Sequence, residues 1–455
     1  VGRLITQSFV YRVAQTSPRP WPLIEQAGWL RLPARVPRTL QLVGAAAILA
    51  VLVALLYGKI SLALVGTAFV IALFFPGGAL LALPMLLIWA PRLALGEASG
   101  EAVFFRLDQF AVAGLIARGL LHSRDRLSSP PGHTIFITFL ATVALSVAVG
   151  LLQGTLEAPI SAALYLAQWL ELYALYVAAW TYGPRVRRWF THAWALPLVA
   201  LATYGLAEYG WPFAEDPDVR YRTFERMLFP GQANHAAGLF ALATATGLGI
   251  ALQPRYRVLG IALALLATLA LWPTGSRSGA LAWATAIAAF ALIRVPAFRW
   301  WLPPLGVLGL AAVPGSFWAR QSAPGSSMYD RLVAWKSAMS TVDLYPLLGL
   351  GAGARHRSYY DNQFIMTLAE SGLVGLILLV LLLLALARAL GRECGGPQGG
   401  YAAGALAGLA ALSVHSLATA TFIVTMTAGP FFWYAGMALS TCEEPAHEQR
   451  NSPQH

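Results

Sequence analysis

The chain has 455 residues, of which 58% are hydrophobic and only 11% charged. Soluble globular domains carry about a quarter charged residues, so this composition excludes an ordinary soluble domain. The net charge of +11 comes almost wholly from arginine, because lysine occurs only at positions 59 and 336. No basic stretch is interleaved with aromatics on a soluble module, so no nucleic-acid partner is expected. Repeated apolar runs of bilayer-spanning length predict an all-α, polytopic membrane bundle in contact with membrane lipids. A barrel would show short alternating segments instead.

In chain order, residues 1–38 carry six arginines and no apolar core before Thr39, unlike a signal peptide. They read as a cytoplasmic basic arm, either disordered or holding an interfacial helix. The transmembrane domain is expected over 39–441. Its first span is 39–58. Residues 60–91 are also apolar but broken at Phe75-Pro76-Gly77-Gly78, as one kinked crossing or a short hairpin. Residues 92–132 are polar, and the amphipathic stretch 104–121 is expected to lie along the membrane surface. Further spans fall at 133–153, 160–183, 190–208, 236–253, 257–273, 278–293, 299–315, 364–390, 400–418 and 421–441. With 60–91 counted once, about 12 helices cross, and 442–455 form a cytoplasmic tail.

Arginine sits at every second connection: Arg185/Arg187/Arg188, Arg255/Arg257, Arg294/Arg299 and Arg388/Arg392. The positive-inside rule makes these cytoplasmic. Cys394 and Cys442 then fall in cytoplasmic segments, and no disulfide framework is expected. The connections 209–235, 274–277 and 316–363 become external, the last a long loop between spans ending near 315 and starting near 364. Those connections nevertheless hold Arg220, Arg222, Arg226, Arg277, Arg320, Arg331, Arg355 and Arg357. Arginine on the side the rule disfavours needs another reason. An anionic ligand is the simplest one, with pairing to Asp216, Asp218, Glu225 and Asp330 as the alternative.

Three constellations carry chemistry. In the first, Arg220, Arg222 and Arg226 precede Gly231-Gln232-Ala233-Asn234-His235, which opens an apolar helix. Asn234 or His235 would cap that helix, and arginine beside a helix N-terminus suits phosphate. The second is Thr274-Gly275-Ser276-Arg277-Ser278-Gly279 at a helix mouth, where Arg277 must face water, protein or ligand. The third runs from Tyr329 to Gly375 and holds Arg331, His356, Asp361, Asn362 and Glu370. Asp361 is placed as an N-cap or a general base, and His356 could take the second role. Glu370 lies two turns into a span, where an acid is a functional candidate or a partner for an external arginine. His192 and His415, in or near apolar spans, read as hydrogen-bonded packing residues. There is no phosphate-binding Walker loop and no metal-type Cys/His spacing, so neither metal nor cofactor is expected. No inverted repeat supports a transporter, although a transporter of lipid-linked oligosaccharides is the competing class.

Taken in order, these motifs resemble the O-antigen ligase/polymerase superfamily of bacterial envelope proteins. They are the arginine-bearing loop, Gly-Gln-Ala-Asn-His, Thr-Gly-Ser-Arg-Ser-Gly, Asp330-Arg331-Leu-x-x-Trp335, Pro-Leu-Leu-Gly-Leu-Gly at 346–351, and Asn362-Gln363 followed by Glu370-x-Gly372-Leu-x-Gly375. The resemblance spans about 130–440. It implies a metal-independent glycosyltransferase of the bacterial inner membrane that uses a glycan on undecaprenyl diphosphate. The acceptor would be lipid A-core, a protein hydroxyl or a second lipid-linked repeat. It places Arg220 or Arg222, and Arg277, on the diphosphate, with Asn234, His235 and Arg331 beside them. Asp361 stands where ligases of the family carry a histidine base, whereas some polymerases have Asp-Asn there. Asn362 and Glu370 remain as acceptor-binding or structural residues.

Overall fold

The computed structural model describes residues 38–56, 59–89, 93–98, 101–122, 127–156, 159–210, 233–300, 327–354, 362–396 and 398–442. The chain is helical, with one hairpin among these residues. Among the described residues, three helices come first: α1 (Arg38–Leu56), α2 (Ile60–Phe74) and α3 (Pro76–Trp89). The apolar run 60–91 is therefore two helices. Pro76 starts α3, where its missing N–H costs nothing. The break at Phe75 leaves the α2 carbonyls without helical partners.

Arg118 resolves this. It lies on α4 (Leu107–Leu121), and its guanidinium donates to the carbonyls of Leu73 at 2.9 Å and Phe74 at 3.2 Å. At the other end of α4, Arg106 donates to the Leu87 carbonyl of α3 at 2.6 Å and to Asp108 Oδ1 at 2.9 Å. Within the stretch 104–121, expected along the membrane surface, these two arginines reach the ends of neighbouring helices. Asp108, Arg118 and the apolar Ala111, Val112 and Leu115 are all buried. Gly114 lies so close to α2 that a Cβ there would meet the Phe69 carbonyl at 2.5 Å. Arg118 and Arg106 thus satisfy carbonyls at the ends of α2 and α3. Before α4, β1 (Leu93–Ala98) pairs antiparallel with β2 (Glu101–Phe105), with Ala98 opposite Glu101 and an irregularity between Ala94 and Gly96.

The rest of the bundle contains α5 (His133–Gln153), α6 (Pro159–Val186), α7 (Phe190–Gly210), α8 (Ala233–Ala251), α9 (Arg257–Leu271) and α10 (Arg277–Arg294). It is completed by α11 (Ser327–Leu344), α12 (Gln363–Glu393), α13 (Gly399–His415) and α14 (Thr425–Cys442). Among the described residues, four stretches are long and apolar enough to cross a membrane: His133–Gln153, Ala162–Ala207, Pro254–Thr274 and Gln363–Glu393. The expected span at 299–315 lies almost wholly outside the described residues. Within the expected loop 316–363, α11 is a helix that the sequence reading missed. Its charges at Asp330, Arg331, Lys336 and Asp343 interrupt any apolar stripe.

Two kinds of packing hold the bundle. Aromatic rings fill the centre: Trp194 stacks on Trp433 at 5.8 Å between centroids and donates its indole N–H to Thr246 at 2.9 Å. The second is a seam of small residues. Gly400, Gly404 and Gly408 recur every four residues on α13 and face α8. A Cβ on Gly404 would meet the Ala245 carbonyl and the Thr246 Cα, both at 3.0 Å. Small residues let membrane helices approach backbone to backbone where apolar burial offers no net drive. The seam continues to Gly238 on α8, whose missing Cβ leaves room for the His415 ring at 3.0 Å. It thus sets the start of α8 against the end of α13.

Candidate functional site

The site assembles where four helix ends meet: the starts of α8, α10 and α12 and the end of α13. The turn before α10 is built residue by residue. The Thr274 hydroxyl donates to the Leu271 carbonyl at 2.6 Å, and Gly275 takes a left-handed conformation at φ 59°. Ser276 caps α10, its hydroxyl accepting from Gly279 N at 3.1 Å. Arg277 is then the first helical residue and is exposed. Gly279 permits close contact with Ala237 of α8.

The same Ser276 hydroxyl donates to Asn234 Oδ1 at 2.7 Å. Two of the constellations recognised separately in the sequence are thereby joined. The expected capping role of Asn234 is corrected: α8 begins at Ala233, so Asn234 lies inside the first turn and uses its side chain on the neighbouring turn. His235 follows, half-buried, with its main-chain carbonyl accepting from the Thr427 hydroxyl at 3.4 Å and its Nδ1 buried without a hydrogen bond.

At the start of α12 the N-cap is Asn362, whereas the sequence placed Asp361 in that role. Asn362 Oδ1 accepts from Phe364 N at 3.0 Å and Ile365 N at 3.1 Å, while Nδ2 donates to the Leu417 carbonyl at 3.0 Å. Gln363 extends the tie: its main-chain N donates to Ser416 O at 2.9 Å, and its side-chain oxygen accepts from Ile423 N at 3.1 Å. The two residues staple the loop between α13 and α14 to the head of α12.

Glu370 marks a second assembly. Helix α12 breaks at Gly372, whose φ of 67° and ψ of −171° are non-helical. The loop over 346–351 fills the break. Leu350 N donates to Ala369 O at 3.0 Å and Gly351 N to Glu370 O at 3.1 Å. In return Leu373 N donates to Pro346 O at 2.9 Å and Val374 N to Leu347 O at 3.3 Å. Non-helical backbone at membrane depth is tolerated only where its polar groups are satisfied within the protein. The Pro-Leu-Leu-Gly-Leu-Gly and Glu-x-Gly-Leu-x-Gly motifs are thus two sides of one backbone pairing. Ser146 of α5 locks it, with its hydroxyl 2.6 Å from Glu370 O, 2.9 Å from Leu348 O and accepting from Ala352 N at 3.0 Å. The Glu370 side chain is buried.

The structure places Asn234, His235, Arg277 and Asn362 at this set of helix ends, Arg331 on α11, and Glu370 at the break in α12. Arg220, Arg222, His356 and Asp361 lie outside the described residues. His415 and Ser146 were not recognised from sequence as parts of these assemblies. The signal for His415 was the glycine stripe of α13 that leads to it; Ser146 left none.

Buried polar side chains clustered at helix ends, with arginine beside them, form a polar assembly within a helical membrane protein. Residues 261–380 match the family model described as O-antigen ligase, which supports the resemblance to that superfamily. The matched stretch includes the capping turn of α10, helix α11, the 346–351 loop and the broken half of α12. No curated protein matches the chain.

Proposed function

We propose that the protein is a metal-independent glycosyltransferase of the O-antigen ligase type, working at the outer face of the bacterial inner membrane. It transfers a glycan from undecaprenyl diphosphate to an acceptor hydroxyl. The observation that carries this reading is the 2.7 Å bond between Ser276 and Asn234. It sets two helix starts side by side, one followed by His235 and the other opened by the exposed Arg277, in the arrangement an anionic leaving group needs.

In this mechanism the acceptor oxygen attacks the anomeric carbon. The bond from that carbon to the diphosphate oxygen breaks, and the electron pair leaves with the diphosphate. Arg220, Arg222, Arg277 and Arg331 stabilise the developing charge without metal. The acceptor proton passes to Asp361 or His356. Losing one charge-stabilising donor typically costs on the order of a hundred- to a thousandfold in rate. A positioned base contributes roughly a hundred- to ten-thousandfold.

The test is transfer from a purified lipid-linked glycan by Arg277→Ala and Asp361→Ala in proteoliposomes. Both variants are expected to fall by at least about a hundredfold. Wild-type rates in both would overturn the assignment. Offering lipid A-core, a protein acceptor and a second lipid-linked repeat in parallel separates ligase, protein-glycosylating and polymerase activity. Movement of the intact donor across the bilayer without glycosidic cleavage would mark a transporter.

A further inference from the structure

Two connections at one end of the bundle are pinned to each other. The short turn Arg187–Trp189 leads into α7, and the short turn Pro254–Tyr256 leads into α9. The Tyr256 hydroxyl donates to the Arg188 carbonyl at 3.3 Å, and the Tyr256 ring meets His192 edge-on at 5.4 Å between centroids. The His192 ring in turn lies 6.2 Å from that of Trp189. The Arg188 guanidinium sits over Trp189 at 5.8 Å and that of Arg255 over Tyr256 at 5.4 Å. Thr191 is tied to the Tyr401 hydroxyl at 2.7 Å, so the platform is fixed to α13 as well. Arg187 and Arg188 on one connection are thereby set beside Arg255 and Arg257 on the other, and all four are exposed. No acid is near them in the chain: none occurs between Glu171 and Glu208 or between Glu225 and Asp330. Both groups of arginines stand at helix starts, where the macrodipole adds to their positive charge instead of offsetting it. The positive-inside rule accounts for arginine on this side of the bundle, but not for its collection on one aromatic platform.

A second feature begins at the same place. Val258, Ile261, Leu265 and Leu269 are exposed and recur at helical spacing along one face of α9, directly after Arg257. A cationic, aromatic head above an apolar stripe matches the two-part chemistry of a phospholipid. We infer that this junction is a headgroup site for an anionic phospholipid: the guanidinium groups of Arg187, Arg255 and Arg257 hold its phosphate, and an acyl chain runs along the exposed face of α9. Arginine suits a phosphate because its planar fork donates two hydrogen bonds at once. Trp189 and Tyr256 stand at headgroup level, where amphipathic rings are favoured. The site lies at the opposite end of α9 from Ser276 and does not rest on glycosyl transfer.

The test is lipid retention by the full chain. Native mass spectrometry of protein released from nanodiscs of mixed phosphatidylcholine and phosphatidylglycerol should show phosphatidylglycerol retained in preference. Phosphatidylglycerol added to the protein in detergent should raise its unfolding temperature, while glycerol phosphate, the same anion without chains, should not. The triple variant Arg187→Gln/Arg255→Gln/Arg257→Gln is expected to bind phosphatidylglycerol roughly a hundredfold more weakly, the combined worth of three basic groups near a membrane surface. The control Arg299→Gln/Arg388→Gln/Arg392→Gln removes the same charge from other exposed positions and should bind like wild type. Equal losses in the two triple variants would reduce the effect to net charge and overturn the site, as would equal retention of both lipids by wild type. Equal stabilisation by glycerol phosphate would leave a site for free phosphate and overturn the lipid. A further measurement needs no variant. Retention of phosphatidylglycerol by wild type should fall as salt rises, because contacts between exposed charges are screened; retention indifferent to salt would overturn the part given to the arginines.

Discussion

The Ser276 hydroxyl donates to Asn234 Oδ1 at 2.7 Å while accepting from Gly279 N at 3.1 Å, so one oxygen both caps α10 and fixes the first turn of α8. Ser276→Ala removes both bonds. Loss of the cap alone costs about 0.5–2 kcal/mol. Thermal unfolding in detergent should record a loss of that size, and glycan transfer should fall further than stability, because Asn234 loses its orientation. Equal activity at equal stability would separate this bond from the site.

The break in α12 depends on Gly372. At φ 67° an alanine would be strained, and its Cβ would collide with the carbonyl group of Leu347. Left-handed strain alone costs of order 1–3 kcal/mol, and the collision adds to it. Gly372→Ala should therefore displace the 346–351 loop. Limited proteolysis within that loop, compared with wild type, reads the displacement directly.

Ser146→Ala should destabilise by about 1–3 kcal/mol, the cost of stranding buried backbone groups. Its hydroxyl serves Glu370 O, Leu348 O and Ala352 N from a different helix. Faster hydrogen exchange at Leu350 and Gly351 is the expected signature; unchanged protection would show that the loop holds α12 without α5.

Arg106 pairs with Asp108 and grips the end of α3 through the Leu87 carbonyl, while Gln109 and Thr425 reach Glu171 at 3.2 and 3.4 Å. Removing one member of a buried ion pair costs roughly 3–5 kcal/mol. Arg106→Ala should lower the unfolding temperature accordingly. Arg106→Lys should fail to restore it, because a single ammonium cannot make the two divergent contacts of the guanidinium.

How much of this was legible beforehand differs element by element. The class was plain from composition: so few charges and such long apolar runs leave only a membrane bundle. A helix mouth was legible at Thr274–Gly279, although not that Ser276 caps it. Local chemistry misled at Asp361-Asn362, where two good caps stand side by side and only backbone geometry selects Asn362. It misled again at Asn234, whose partner lies 42 residues away. Helix α11 was missed because its charged residues interrupt the apolar pattern by which a helix is recognised.

By itself the sequence determined that the chain fills a membrane with helices, where several of them start, and which superfamily its central stretch resembles. Those properties follow from transfer free energy and from bonds between near neighbours. Only the tertiary structure decided that Ser276 reaches Asn234, that a glycine-rich loop completes the broken α12, and that His415 lies beneath α8. Each of these depends on a close approach between segments separated in the chain, by 19 residues for Leu350 and Ala369 and by 42 for Ser276 and Asn234. Periodicity carries no record of such approaches, because it reports which face of a helix is apolar and not what that face meets.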